Sequence, residues 1–308
     1  MENKIYETII VGAGPAGLTA SIYASRYMVD HLVIGHLPGG MASEATEIHN
    51  WPGDKAINGF DLAQRMIEHA KGLGAEIIGD IVVDVKKEQE LFKVITQGQK
   101  EFQAKTVILA LGTERRKLNI PGEKEFFGKG VCYCATCDGP LYRNKTIAIV
   151  GGGNAGVGAA IYLSNLVNKL YLITNEKELR AETKLHELIY NNPKIEVILE
   201  NGIKELKGDQ KLSSMVLDKE HNRQAEIAID GIFVEIGGVP PKELLEKINI
   251  ETDQKGYIKI NPDCSTNIEG LFAAGDITNG NNGFRQIVTA AASGAIAQNS
   301  VYNYLRKK

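Results

Sequence analysis

The feature that most constrains this chain is a turn that occurs twice. In TIIVGAGPAGL, residues 8–18, a β-branched run from Thr8 to Val11 leads into Gly12, Gly14 and Gly17, and a small-residue helical stretch, LTASIYASRY, follows. In TIAIVGGGNAGVGAAIYLS, residues 146–164, the same order recurs with Gly151, Gly153 and Gly156. Strand, G-x-G-x-x-G and helix together set a dinucleotide pyrophosphate on backbone N–H groups at a helix N-terminus. One glycine makes the turn, one lets the ligand approach, and one lets the helix pack on the strand. A single copy is weak evidence, because glycine turns also join strands to helices without holding a ligand. Two copies, each in the right context, point to two dinucleotide-binding units.

Each copy closes on an apolar strand that ends in glycine, VILALG (107–112) and GIFVEIGG (231–238). The chain then continues with GLFAAGD (270–276) and an alanine-rich helix, so the second unit reads as inserted into the first. The fold class expected is α/β with two doubly wound Rossmann-like domains. Residues 1–115 and 244–308 form one, and residues 116–243 form the other. Pro121-Gly122 and Pro240-Pro241 lie near the two crossings and are read as hinge punctuation. A chain of 308 residues is long enough for two cores.

The formal net charge of −3 carries no basic excess, which argues against nucleic acid as a partner. No run approaches about 18 uninterrupted apolar residues, so no membrane span is expected. The apolar stretch at the N-terminus contains GAGPAG and does not read as a signal peptide, and the expected compartment is the cytoplasm. There a close cysteine pair is more often catalytic or metal-binding than a structural staple. Three of the four cysteines fall in VCYCATCDGP, residues 131–140, at Cys132, Cys134 and Cys137. Zinc would need four ligands; no second C-x-x-C or close histidine pair supplies them, and Cys264 stands alone, so no metal is expected.

Two dinucleotide sites in one chain suggest electron transfer between a flavin and a nicotinamide. GAGPAG, HNWPG (49–53), CATCDG, GGGNAG, FAAGD and Arg285-Gln286 resemble, in order and spacing, the low-molecular-weight thioredoxin reductases, over essentially the whole chain. The resemblance implies FAD in the first domain. The turn Gly12, Gly14, Pro15, Ala16 and Gly17 would cradle its pyrophosphate. Gly39, Gly40, Ala110, Gly112 and Gly275 would border it, and Asn50 would lie near the flavin. Asp276 would accept a ribityl hydroxyl, and Arg285 and Gln286 would lie against the isoalloxazine at the start of the last helix. Met41 departs from the family, which commonly has glutamine after the paired glycines.

For the dithiol, the resemblance implies that Cys137 faces the flavin, Cys134 attacks the disulfide of the substrate protein, and Asp138 serves as acid and base. A thiolate is the nucleophile in such exchange, and two intervening residues let the pair close. An aspartate after C-x-x-C is also a common turn residue. Cys132 replaces the family's usual small residue and reads as a buried thiol or as the source of an alternative disulfide with Cys134 or Cys137.

The second domain would take NAD(P)H through Gly151, Gly153, Asn154 and Gly156. NADPH-specific members of the family carry H-R-R-x-x-x-R where this chain has TNEKELR, residues 174–180. Only Arg180 remains of the arginines that grip a 2′-phosphate, and Glu176 stands in its place. A carboxylate there suits a free ribose 2′-OH, although a solvated loop is an equal reading. Val157-Gly158-Ala159-Ala160 also replaces the family's V-E-E-A. The donor is therefore open among NADPH, the family default; NADH, which suits Glu176; and reduced ferredoxin or a deazaflavin, which suits the combined losses.

The expected function is a thioredoxin-disulfide reductase in which FAD passes electrons to a Cys134–Cys137 disulfide. A dithiol oxidase acting on a small molecule and a non-catalytic flavin-binding redox sensor are the alternatives. Thioredoxin is the expected partner, with ferredoxin a second, and a homodimer is what the resemblance implies.

Overall fold

The computed structural model describes residues 4–45, 47–280 and 283–307. The chain divides into two compact units, Met1–Glu114 with Val239–Lys308, and Arg115–Gly238.

The first unit opens with β1 (Ile5–Val11), α1 (Pro15–Arg26), β2 (His31–Ile34), α2 (Gly59–Gly72) and β3 (Glu76–Ile78), followed by β4 (Val82–Glu88), β5 (Leu91–Thr96) and β6 (Glu101–Leu109). The strand order is β3-β2-β1-β6-β5-β4. β1 lies parallel to β2 and β6, whereas β4, β5 and β6 form an antiparallel meander. Side chains alternate along β1 with the period of two that a strand imposes. Ile9 and Val11 enter one core with Leu32, Phe92 and Leu109, and Ile10 enters another with Val33, Ile108 and the alanines of the flanking helices. Apolar residues on both faces mark a parallel sheet covered on both sides.

The two-residue strand β7 (Glu114–Arg115) carries the chain to the second unit. There follow β8 (Val131–Cys132), α3 (Ala135–Asp138), β9 (Thr146–Val150), α4 (Asn154–Ser164), β10 (Lys169–Ile173), α5 (Thr183–Tyr190) and β11 (Ile195–Ile198). The meander β12 (Ile203–Gly208), β13 (Leu212–His221) and β14 (Gln224–Ala228) leads to β15 (Gly231–Val234), and β16 (Gly238–Val239) carries the return. The main sheet is five-stranded, β11-β10-β9-β15-β8, with each of these pairs parallel.

Back in the first unit come α6 (Lys242–Ile248), β17 (Leu271–Ala273) and α7 (Ile287–Lys307). β17 lies parallel to the second half of β6. Both units contain a parallel strand-helix-strand core and a three-stranded antiparallel meander, which continues the main sheet in the first unit and forms a separate sheet in the second. α7 packs closely on α1 because Gly294 faces the carbonyl of Ala16, where a side chain would collide. No described helix is long and apolar enough to cross a membrane.

Pro121-Gly122 does not act as a hinge. Pro121 accepts the backbone N–H of Leu206 at 3.0 Å, and Gly122 lies against Leu206, so both are fastened to β12 inside the second unit.

Candidate active site

The first glycine turn is shaped for close approach. Gly12 has φ +118°, and a side chain there would strike the carbonyl of Ala110 at the end of β6. Gly17 lies against the carbonyl of Gly12, which lets α1 pack on β1. Gly14 caps α1 in an extended conformation, Pro15 fills the first helical position, and no side chain caps the helix, so its first N–H groups are left for an anion. The Gly39-Gly40 turn comes up beside it: a side chain on Gly40 would meet the Cα of Gly14. Ala16 is buried and touches the spot where a Cβ on Gly275 would lie, and Gly112 adopts φ +65°.

Around this turn sit the polar residues expected to meet a flavin. The Asp276 carboxyl is pushed above the usual carboxylate range by burial, which the Arg285 charge only partly offsets. Among the described residues none donates a hydrogen bond to that carboxyl, as befits a group awaiting a sugar hydroxyl. The Arg285 Nε donates to the Asp276 carbonyl at 3.3 Å, and its guanidinium lies 3.8 Å from the centre of the Tyr257 ring. Asn50 Nδ2 donates to Gln286 Oε1 at 2.9 Å, joining two residues far apart in sequence just ahead of α7. A glycine-lined anion cradle with a largely buried carboxyl that no described residue hydrogen-bonds fits FAD.

The second turn repeats the first. Gly151 has φ +138° and faces the carbonyl of Glu235, and Gly156 faces the carbonyl of Gly151. Gly153 caps α4, again without a side-chain cap. Asn154 is tied to Glu182, whose N–H it accepts at 2.8 Å. The differences lie at the rim. Glu176 pairs with Arg180 at 3.3 Å, so the one remaining arginine is met by a carboxylate. The Arg180 N–H donates to the Gly152 carbonyl at 2.8 Å, which holds this pair beside the turn. Where the first cradle has Ala110, the second has Glu235, paired with Arg115 at 3.6 Å. Sequence reasoning missed this pair because Arg115 and Glu235 meet only once the sheet forms.

Cys134 and Cys137 form a disulfide with a Cα–Cα distance of 5.3 Å. Cys134 caps α3, and its sulfur accepts the N–H of Cys137 at 3.2 Å, an arrangement that stabilises negative charge on that sulfur once the bond opens. Cys134 is half-buried and Cys137 exposed. Cys132 is a free, buried thiol rather than part of a disulfide. Upstream, the buried Glu123 accepts the N–H groups of Leu118 and Asn119 at 2.7 and 2.6 Å and the hydroxyl of Tyr133, fixing the residue that precedes Cys134. Among the described residues no group of three or more metal-ligating side chains comes together.

Two glycine cradles on two Rossmann-like units, with a C-x-x-C disulfide at a helix start in the second, define a flavin-dependent disulfide oxidoreductase. Residues 6–294 match the family described as pyridine nucleotide-disulphide oxidoreductase. The thioredoxin reductase of Bacillus subtilis is 39% identical, over 99% of this chain and 96% of its own length. The crystal structure of Lactococcus lactis thioredoxin reductase superposes with a TM-score of 0.93 at 35% identity, covering 98% of this chain and 100% of that one. A ferredoxin-flavin thioredoxin reductase from Clostridium acetobutylicum is 32% identical over 99% of this chain and 98% of its own, with a TM-score of 0.55. The chain belongs to the pyridine nucleotide-disulphide oxidoreductase family, and within it to the thioredoxin reductases.

Proposed function

We propose that this protein reduces thioredoxin through Cys134–Cys137 and that its electrons come from a donor without a 2′-phosphate, NADH. The observation that carries the choice of donor is the Glu176–Arg180 pair, which neutralises the one arginine left for a phosphate. Family membership supports the thioredoxin reaction.

FAD, held by the turn of Gly12, Gly14 and Gly17 and by Asp276, supplies the two-electron step that no side chain can perform. The chain's own residues do the exchange. The Cys134 thiolate attacks one sulfur of the partner disulfide, and that bond breaks as a mixed disulfide forms. The Cys137 thiolate then attacks the Cys134 sulfur, restoring the internal disulfide and releasing the second partner thiol. Asp138 takes the Cys134 proton and returns it to the departing thiolate.

The test is anaerobic reduction of the bound flavin by NADH, NADPH and reduced ferredoxin in parallel, followed by absorbance. NADH is expected to bleach the flavin faster than NADPH, and faster bleaching by NADPH would overturn the choice of donor. Bleaching by ferredoxin alone would establish a second reading. That reading is favoured by the Clostridium relative and by Gly158 and Ala159, which put no carboxylate on the first turns of α4.

A further inference from the structure

The Arg285 side chain is held in one place from three directions. Its guanidinium lies 3.8 Å from the centre of the Tyr257 ring. Its Nε donates to the Asp276 carbonyl at 3.3 Å, and its Nη1 donates to the Gly283 carbonyl at 3.4 Å. Neither backbone bond neutralises the charge, and the buried Asp276 carboxyl is near enough to feel it.

Tyr257 is itself buried and firmly set. The Asp253 carboxylate accepts the Tyr257 N–H at 3.0 Å, and the Tyr257 carbonyl accepts the Asp253 N–H at 2.8 Å, which closes a turn. The next residue, Ile258, bridges in parallel to Thr278. Its N–H donates to the Ile277 carbonyl at 2.9 Å, and its carbonyl accepts the Asn279 N–H at 2.9 Å. The ring is thus registered against the segment that directly follows Asp276, and Arg285 is fastened to the same two pieces of chain.

We propose that Tyr257 is a positioning residue for the flavin: the face of its ring holds the Arg285 cation beside Asp276, where the positive charge favours the negatively charged reduced flavin over the neutral oxidised one. The inference rests on FAD occupying the first cradle, as in the proposed function. A guanidinium stacks on an aromatic face, and that contact is strongest where water is partly excluded. Without the ring, the long side chain regains its rotamers and its charge moves into solvent, where it is screened. Two-electron reduction places negative charge on a flavin, so a cation fixed nearby stabilises the product more than the starting form.

Tyr257→Leu should lower the ratio of reduced to oxidised flavin at a fixed potential by roughly three- to tenfold, which is a potential about 15–30 mV more negative. Tyr257→Phe keeps the ring face and should stay at the wild-type value. Arg285→Met should shift the potential in the same direction by at least as much as Tyr257→Leu. The double variant should lie no lower than Arg285→Met alone, because the ring acts only through the cation.

Anaerobic holoenzyme of each variant is reduced at pH 8 together with a reference dye, and flavin and dye are followed by absorbance. An unmoved potential in Tyr257→Leu, an equal shift in Tyr257→Phe, or additive shifts in the double variant overturns the inference. If Tyr257→Leu fails to fold or to keep its flavin, Tyr257→Met decides by the same reading, and an unmoved potential there refutes it. Wild-type protein that neither carries nor takes up FAD refutes the proposed function instead, so the two failures are told apart.

Discussion

Replacing Glu176 by glutamine removes the negative charge at the rim of the second cradle while keeping the shape of the side chain. The Glu176–Arg180 pair is 3.3 Å apart, with 42% of the Glu176 side chain and 69% of the Arg180 side chain exposed. In such a watery setting two unit charges roughly 5 Å apart interact by about 0.8 kcal/mol. A 2′-phosphate carries about one and a half to two negative charges, so its repulsion by Glu176 amounts to about 1–2 kcal/mol, roughly a tenfold preference against NADPH. Glu176→Gln also frees Arg180 to meet the phosphate. The ratio of kcat/KM for NADPH over NADH, measured by flavin reduction at low ionic strength, should rise by roughly tenfold and shrink again at high salt. An exposed i,i+4 pair contributes only about 0.3–0.5 kcal/mol to stability, so Tm should hardly move. A ratio unchanged by the substitution would refute the reasoning, and a fall in the ratio would reverse its sign.

Other perturbations test other parts of the account. Glu123→Ala strands the donors of Leu118, Asn119 and Tyr133, of which Asn119 is exposed and regains water, so urea denaturation should register a loss of about 3–4 kcal/mol. Tyr133→Phe should lose about 1 kcal/mol. Gly12→Ala forces a side chain toward the Ala110 carbonyl at φ +118°, and the purified protein should retain little FAD by its visible absorbance. His31 is buried; its Nδ1 donates to the Val29 carbonyl at 3.0 Å, and its Nε2 accepts the Ser21 hydroxyl at 2.8 Å. Burial lowers its folded-state pKa below the ordinary 6.5. The stability it contributes is therefore present above that value and is lost as pH falls through the folded pKa. His31→Gln should lose less stability than wild type between pH 7.5 and 5 in denaturant titrations.

Both glycine turns, the C-x-x-C-D run and the returning last helix were legible in the sequence because each is a local pattern whose chemistry lies in consecutive residues. The loss of the arginine run was legible for the same reason. Contacts made by distant residues were not. Asn50 meets Gln286, Glu235 meets Arg115, and Cys132 meets Tyr142 only through sheet register and helix packing. Glu176 was readable as a carboxylate in the wrong place for a phosphate, but its pairing with Arg180 depended on how the loop after β10 turns. Pro121-Gly122 misled because a turn dipeptide looks the same whether it swings freely or is fastened to a neighbouring strand.

The central claim is that electrons leave the flavin through Cys134–Cys137 to thioredoxin. Light-reduced, anaerobic holoenzyme, wild type and Cys134→Ser, is mixed with oxidised thioredoxin, and the thiols released on thioredoxin are counted. The account predicts about four thioredoxin thiols per fully reduced wild-type enzyme, two from the flavin electrons and two from the Cys134–Cys137 dithiol, and almost none for Cys134→Ser. Equal release from both proteins, or none from wild type while its flavin stays reduced, would contradict it.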